Sequence, residues 1–544
     1  MTAYTKSSIP LIMMGIYILI VVFLSYKASF TKKIREKRKK ETFEEYYTGG
    51  KSMSGVVVAL ITIVTFYSGT TFTGRVGFFY NYGVVSLTSI LACSMVGVIM
   101  FFLSEKIWPI SKKYRLSTLS DMLELRYQTK WIKLLVAVTI ICFNMIWLVT
   151  EIRTLGLATN IASGGNIPIK VGSVIAFTII ILYVMTGGVR SVAAVDSFSA
   201  VVMLVGSVIT FGYIIAYFYD GSVAGMFAAA VSAKPEIMTI NSGVKFNMPY
   251  WISNLFLGTA VMLVYPSNYM SICLANSTRA VKKASIATSV SGLWLSIYGL
   301  FGMAALGVAS KGFKIADPQS SLLEMLSFSG SAVLLGLVAT FILAASLGTL
   351  DSTLISLSGL LSNDVITNAQ RIKDNEPCIG ENGDEASVIS SRVTKNAKQE
   401  IFRTRVIVVI LGIIAMCFSM TDLPLLVIMV NHATNGLCQI IPAVVGGLYW
   451  KKSTPQAAIS SLVGGVISYL LINSFAAKMG LTFGGLMLGI PALVISITIF
   501  VVVSLCTYKK YYAEHTQCQG IYDDFFVKKR VEQYIKENFS VQGK

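Results

Sequence analysis

The chain has 544 residues, of which 54% are hydrophobic and only 13% charged, and its mean hydropathy is +0.69. No single water-soluble core needs so much apolar surface, which argues against a soluble globular enzyme and for a chain embedded in a membrane. The formal charge of +18 is scattered over many loops and makes no single basic patch of the kind that grips a nucleic acid.

Windows of about 19 residues pick out apolar stretches able to cross a hydrocarbon layer of about 30 Å. They fall at residues 9–26, 54–80, 84–104, 132–160, 169–187, 194–219, 250–274, 284–309, 333–361, 404–421, 423–449, 455–476 and 485–507. Read as helices, these thirteen segments, numbered in that order, predict an all-α membrane protein with thirteen transmembrane helices. Segment one, "IPLIMMGIYILIVVFLSYKA", has no basic region before it and no small-residue cleavage pattern after it, so it is expected to stay in the mature chain. The connection behind it, "KASFTKKIREKRKKETFEEYYTGGK", is basic, and so is every second connection thereafter: "SEKIWPISKKYR", "GGVRS", "NSTRAVKKAS" and "WKKS". The alternate connections, such as "IASGGNIPIK" and "DGSVAGMF", are nearly free of positive charge. Short Lys/Arg-rich loops are retained in the cytoplasm, so the N terminus is expected outside and the C terminus inside.

Eight cysteines show no C-x-x-C pairing and most lie within segments, where they act as small apolar fillers; no disulfide is expected. With two histidines a zinc or haem site is not expected, and G-x-x-x-x-G-K-[ST] is missing, so uphill work must draw on an ion gradient.

The informative residues inside the segments are the costly ones, since a charge at the bilayer centre costs about 2.5 to 3.5 kcal/mol. Asp196 opens segment six, Asp351 lies in segment nine between Thr349 and Ser352, and Arg75 lies in segment two with no carboxylate nearby in sequence. Glu151 and Arg153 of segment four read as an internal ion pair or as side chains reaching the interface. Helix breakers interrupt segment two, "TFYSGTTFTGRVG", and segment seven, "LVYPSNYMS". Freed carbonyls at such breaks need protein, water or an ion as partner. The two broken segments lie five apart, as in a transporter of two inverted five-segment repeats whose site sits where the breaks meet. The chain then divides into a first segment and basic cytoplasmic loop (1–53), a first repeat (54–219), an extracellular loop (220–249), a second repeat (250–449) carrying a polar cytoplasmic loop at 363–403, two peripheral segments (450–507) and a cytoplasmic tail (508–544).

Five successive stretches, "EEYYTGGKSMSG", "KYRLSTLSDMLELRY", "TGGVRSVAAVDSFSA", "NSTRAVKKAS" and "LGTLDSTLISLSGLLSNDV", resemble the signatures of the sodium:solute symporter family, which includes proline, pantothenate, sialic acid and sodium/glucose transporters. The resemblance implies a leucine-transporter-like core of segments two to eleven and a sodium ion between segments two and nine. By position, its ligands would be the main-chain carbonyls of Val64, Tyr67 and Ala345 and the hydroxyl of Thr349, with Gly348 standing where many members have a serine. Read from the residues alone, Thr349, Ser352 and Ser356 share one helix face at i, i+3 and i+7. Such hydroxyls suit a hard cation, and they also serve as packing glue between membrane helices. Some members hold a second sodium deeper, and the matching positions are Asp196, Asp351 and Ser352. Ser199, Ser267, Asn268, Ile272 and Cys273 depart from the family's polar pattern, which implies an atypical solute pocket.

The expected function is sodium-coupled symport of a small polar organic solute, anionic if Arg75 faces the pocket, by alternating access across the cell membrane. The solute is expected near Ser68, Thr70, Thr71, Arg75 and Asn268. The expected partners are solute, sodium and membrane lipid, with no nucleic acid, no enzymatic activity and no cofactor beyond the coupling sodium. The rivals are a proton-coupled symporter using Asp196 and Asp351 as carriers, a channel, and a non-transporting solute sensor of the same fold.

Overall fold

Long apolar runs without turn residues satisfy their backbone groups internally only as helix. The computed structural model describes residues 7–30, 43–240, 246–376, 378, 397–421, 423–514 and 519–539. Among these residues the chain is helical, with one isolated bridge between Met53 and Ala275 and no sheet. Nine of the helices are long and apolar enough to cross a membrane, and two sharply bent pairs bring the number to eleven.

The expected thirteen segments differ from this in two places. Segment five is a shorter apolar helix, Ile169–Ile181, and is separated from segment six by Gly188, where φ is 62° and ψ is −167°. A Cβ there would lie 2.8 Å from the Tyr46 ring, so the bend asks for glycine on both conformational and steric grounds. Segment eleven is assembled from Leu426–Leu437, a 3-10 turn at Cys438–Ile440 and Ile441–Tyr449, with Pro442 at the second break. Each piece alone is too short to span, at about 1.5 Å of rise per residue.

Segment nine, Ala332–Gly359, is the axis of the bundle: 89% of its most apolar window is buried in protein, against 28% for segments one and twelve. The outer helices instead turn large apolar side chains outward, Leu19, Phe23, Val56 and Phe102 among them, which is the surface a lipid environment requires. Beyond Gly359 the axis helix continues through a π-helical stretch, Leu360–Thr367, into Asn368–Lys373, so the start of the expected 363–403 loop is helical. Residues 377 and 379–396 of that loop lie outside the described residues.

A short helix, Leu119–Tyr127, opens with a capping box in which Thr118 Oγ1 accepts from the Asp121 N–H at 3.1 Å and Asp121 Oδ2 accepts from the Thr118 N–H at 3.2 Å. It meets the far end of the axis helix through buried ion pairs. Lys133 Nζ lies 2.8 Å from Asp121, 3.3 Å from Glu124 and 3.5 Å from Asp364, and Arg371 lies 2.8 Å from Glu124. Burial pushes the Glu124 carboxyl up, but Lys133 and Arg371 outweigh it and hold the group below its ordinary value. The tail helices Gln519–Phe526 and Lys528–Phe539 dock beside this region, with Asp524 accepting from Lys113 at 2.7 Å and from the Tyr114 hydroxyl at 2.6 Å.

Candidate cation and solute site

Segment two begins as a helix, Gly55–Phe66, capped by Ser54, and stops at Tyr67, where φ is −100° and ψ is 63°. It resumes as a π-helical turn, Thr71–Arg75, followed by Val76–Tyr82, and the axis bends by 53° across the gap. Segment seven breaks in the same way. Met248–Ala260 and a 3-10 turn lead to Val264 and Tyr265, and the helix restarts at Pro266 with a bend of 47°. Proline suits a first helical position because its missing N–H would have no partner there.

The axis helix passes these breaks with its hydroxyl face toward them. Thr349 Oγ1 lies 3.3 Å from the Val64 carbonyl oxygen, 3.1 Å from that of Thr65 and 3.3 Å from that of Ala345. Three of the carried-over positions are therefore together, and Thr65 joins them. Tyr67 ends the helix, donating its N–H to the Ile63 carbonyl at 2.9 Å and placing its hydroxyl 2.8 Å from Ser291. One turn on, Ser352 Oγ donates to Asp196 Oδ2 at 3.2 Å and accepts from Thr65 Oγ1 at 3.2 Å, while Asp351 Oδ1 accepts from the Ser352 N–H at 2.6 Å. The Asp196 and Asp351 carboxyls are neighbours. Ser356 completes the face against segment seven, 3.4 Å from Ser267.

Gly348 of segment nine lies against segments two and six. A Cβ on it would lie 2.5 Å and 2.8 Å from the Val64 methyls and 3.2 Å from Asp196 Oδ1. A serine at this position has no room here unless Val64 moves.

Beside Thr349 lies a cavity of about 40 Å³ lined by Ser68, Thr70, Arg75, Trp147 and Tyr265 among others. At about 10 to 15 Å³ per water, it has room for roughly three. Arg75 Nη1 donates to Cys93 Sγ at 3.5 Å and makes no ion pair among the described residues. Thr71 and Asn268 stand behind the lining. Thr71 Oγ1 and Asn268 Oδ1 are buried without partners, and Asn268 Nδ2 donates to the Met262 carbonyl at 2.8 Å.

Sequence reasoning did not place Glu151, Trp147 or Tyr265 at the site. Glu151 and Arg153 do not pair: residues two apart point to different sides of a helix. Glu151 instead accepts a hydrogen bond from the Gly69 N–H in the break, at 3.1 Å. Its signal in the sequence is its charge within an apolar segment. Trp147 and Tyr265 carry none, because aromatic residues fill membrane cores as readily as they line pockets.

The family model for "Sodium:solute symporter family" matches residues 46–382. The chain belongs to the sodium:solute symporter family. Members of this family are transporters and not enzymes, and sodium is the coupling ion of the family, with a small-molecule solute as the cargo. The chain is similar to the sodium/proline symporter of Staphylococcus aureus, 23% identical over 519 residues that cover 92% of this chain and 93% of that one. It is similar also to the sodium/pantothenate symporter of Haemophilus influenzae, 22% identical over 479 residues, covering 86% and 92%. Among solved structures, a substrate-bound, outward-open Na+-coupled sialic acid symporter superposes with a TM-score of 0.71 at 16% identity, covering 92% of this chain and 98% of that one. The nucleobase-cation-symport-1 transporter Mhp1 superposes at 0.55, with 12% identity and coverage of 88% and 97%. These two likenesses carry the fold. The protein is thus a multi-pass membrane symporter of this family, with the broken segments and the hydroxyl face of segment nine at its centre.

Proposed function

We propose that this symporter imports a small polar organic solute, anionic in character, together with two sodium ions, by alternating access of two inverted five-segment repeats. In this reading all thirteen segments cross the cell membrane, with the N terminus outside and the C terminus in the cytoplasm. The observation that carries it is the Thr349 hydroxyl facing the Val64, Thr65 and Ala345 carbonyls beside the break of segment two, a set of hard oxygens suited to an alkali cation. The second ion belongs with Asp196, Asp351 and Ser352, since two adjoining buried carboxyls are disfavoured without a cation between them. Arg75, lining the cavity with Cys93 Sγ as its hydrogen-bond partner and no ion pair among the described residues, supports a carboxylate on the solute. A cavity of about 40 Å³ is too small for such a solute, so the broken segments must part to admit it.

The ion count follows from energetics. At a potential of about 100 mV each positive charge moved inward releases about 2.3 kcal/mol, and a tenfold sodium gradient adds about 1.4 kcal/mol. One sodium with a monoanion moves no net charge and yields only about tenfold accumulation; a second sodium restores the electrical contribution. A thermal-shift screen of the purified protein over amino acids, sugars and carboxylates, with and without sodium, identifies the solute. Uptake current against sodium in proteoliposomes then gives a Hill coefficient above one, falling toward one in Asp196→Asn. A wild-type coefficient of one with Asp196→Asn fully active refutes the second site, and uptake that follows pH and ignores sodium favours the proton-coupled alternative.

A further inference from the structure

The sodium and solute residues leave one buried carboxylate without a task. Glu151 of segment four is fully buried, its Oε2 accepts from the Gly69 N–H at 3.1 Å, and its Oε1 has no hydrogen-bond partner. Among the described residues no lysine or arginine is in ion-pair contact with it, although an isolated charge in this environment is strongly disfavoured. Three hydroxyls surround the Gly69 contact: Ser68 and Thr70 on either side of Gly69 in the break of segment two, themselves 2.6 Å apart, and Ser346 from segment nine, against Gly69. Ser346 Oγ is fully buried and also lacks a partner. Gly69 makes the approach possible, because any Cβ on it would lie 1.8 Å from Ser346 Oγ and 2.9 Å from Thr154 Cγ2. Glu151 does not line the cavity. Ser68 and Thr70 do, and so stand between the carboxylate and the solute space.

We propose that Glu151, Ser68, Thr70 and Ser346 form a further binding site for a small hard monovalent cation, sodium, which stays bound in addition to the two carried ions at Thr349 and at Asp196. The donors are all oxygens, which suits an alkali cation and not a soft metal. One carboxylate balances one charge, whereas a divalent ion would ask for more. A single proton on Oε1 would engage one of the three hydroxyls, while a cation engages oxygens from segments two, four and nine together. Because Ser68 and Thr70 face the ion on one side and the cavity on the other, occupancy of this site orders the solute-facing edge of the break. Ser346 follows Ala345 directly, so the same turn of segment nine serves both this ion and the one at Thr349.

The test is equilibrium binding of 22Na+ to the purified full chain at pH 8, in choline chloride at constant ionic strength, with no solute present. Glu151→Gln, which keeps the shape and removes the charge, is expected to bind one sodium fewer than wild type. Ser346→Ala is expected to raise the half-saturating sodium of one ion several-fold, and combining Glu151→Gln with Thr349→Ala is expected to remove two ions. In choline chloride Glu151→Gln should melt no lower than wild type, since it loses a buried charge that makes no ion pair, and it should gain less from added sodium. A full sodium count with unchanged half-saturation in both Glu151→Gln and Ser346→Ala overturns the proposal. So does a full count accompanied only by a changed pH dependence of melting, which would assign the carboxylate to a proton. If Thr349→Ala leaves binding unchanged while Glu151→Gln loses an ion, the Thr349 site fails and the Glu151 site stands.

Discussion

Replacing Gly348 by serine would add a hydroxyl beside the proposed first sodium site, and on ligand chemistry alone it should tighten binding. The packing argues the opposite. The new Cβ would meet the Val64 methyls at 2.5 Å and 2.8 Å, closer than side-chain carbons approach, and the carbonyl of Val64 is itself one of the oxygens facing Thr349. Moving Val64 therefore moves a proposed ligand. Overpacking of this kind costs about 1 to 3 kcal/mol. If that strain falls on the sodium-bound state, half-saturating sodium rises by about 5- to 150-fold. Gly348→Ala carries the same Cβ without the hydroxyl and should behave alike, which separates space from chemistry. Val64→Ala removes both clashing methyls, so Gly348→Ser with Val64→Ala should recover much of the loss, a coupling of about 0.5 to 3 kcal/mol in a double-mutant cycle. The assay is 22Na+ binding alongside melting temperature. Tighter sodium binding in Gly348→Ser with an unchanged melting temperature would refute the argument, because it would mean that Val64 yields freely and that the missing hydroxyl limits the site.

Thr349→Ala removes the hydroxyl that faces three carbonyls and should raise the sodium needed for half-maximal uptake several-fold or more; an unchanged sodium dependence takes Thr349 out of the site. Arg75→Lys should weaken a carboxylate solute by roughly tenfold, the worth of one charge-assisted hydrogen bond of about 1.5 kcal/mol, because the planar fork is lost; normal transport by Arg75→Gln would leave Arg75 a support for Cys93. At the far end of the axis helix, Glu124 is held below its ordinary carboxyl value, so its ion pairs stabilise the fold above the ordinary carboxylate range and are lost as pH falls through the lowered value. Glu124→Gln should destabilise by about 1.5 to 3 kcal/mol at neutral pH and flatten the acid limb of a melting curve followed against pH; an unaltered acid limb would refute the role of the Glu124 ion pairs in it.

What the sequence determined by itself is what local physics controls. Hydropathy over windows as long as a bilayer is thick located the apolar helices, because the cost of exposing backbone to hydrocarbon is paid within each segment. Helical periodicity put Thr349, Ser352 and Ser356 on one face, and glycine and proline marked both breaks, since these residues act on their own backbone. The successive motifs carried the family. Tertiary structure decided the rest, because it depends on how each helix is rotated and how closely its neighbours approach. Nothing local shows that Gly348 abuts Val64, 284 positions earlier, and so has no room for a serine. Nor does it show that the helices of segments five and six meet at Gly188, where the Tyr46 ring fills the space a side chain would need. Glu151 is the clearest case. In the sequence its neighbour is Arg153; in the folded protein the two point apart, and the carboxylate meets Gly69 of segment two because segment four turns that side of its helix toward the break.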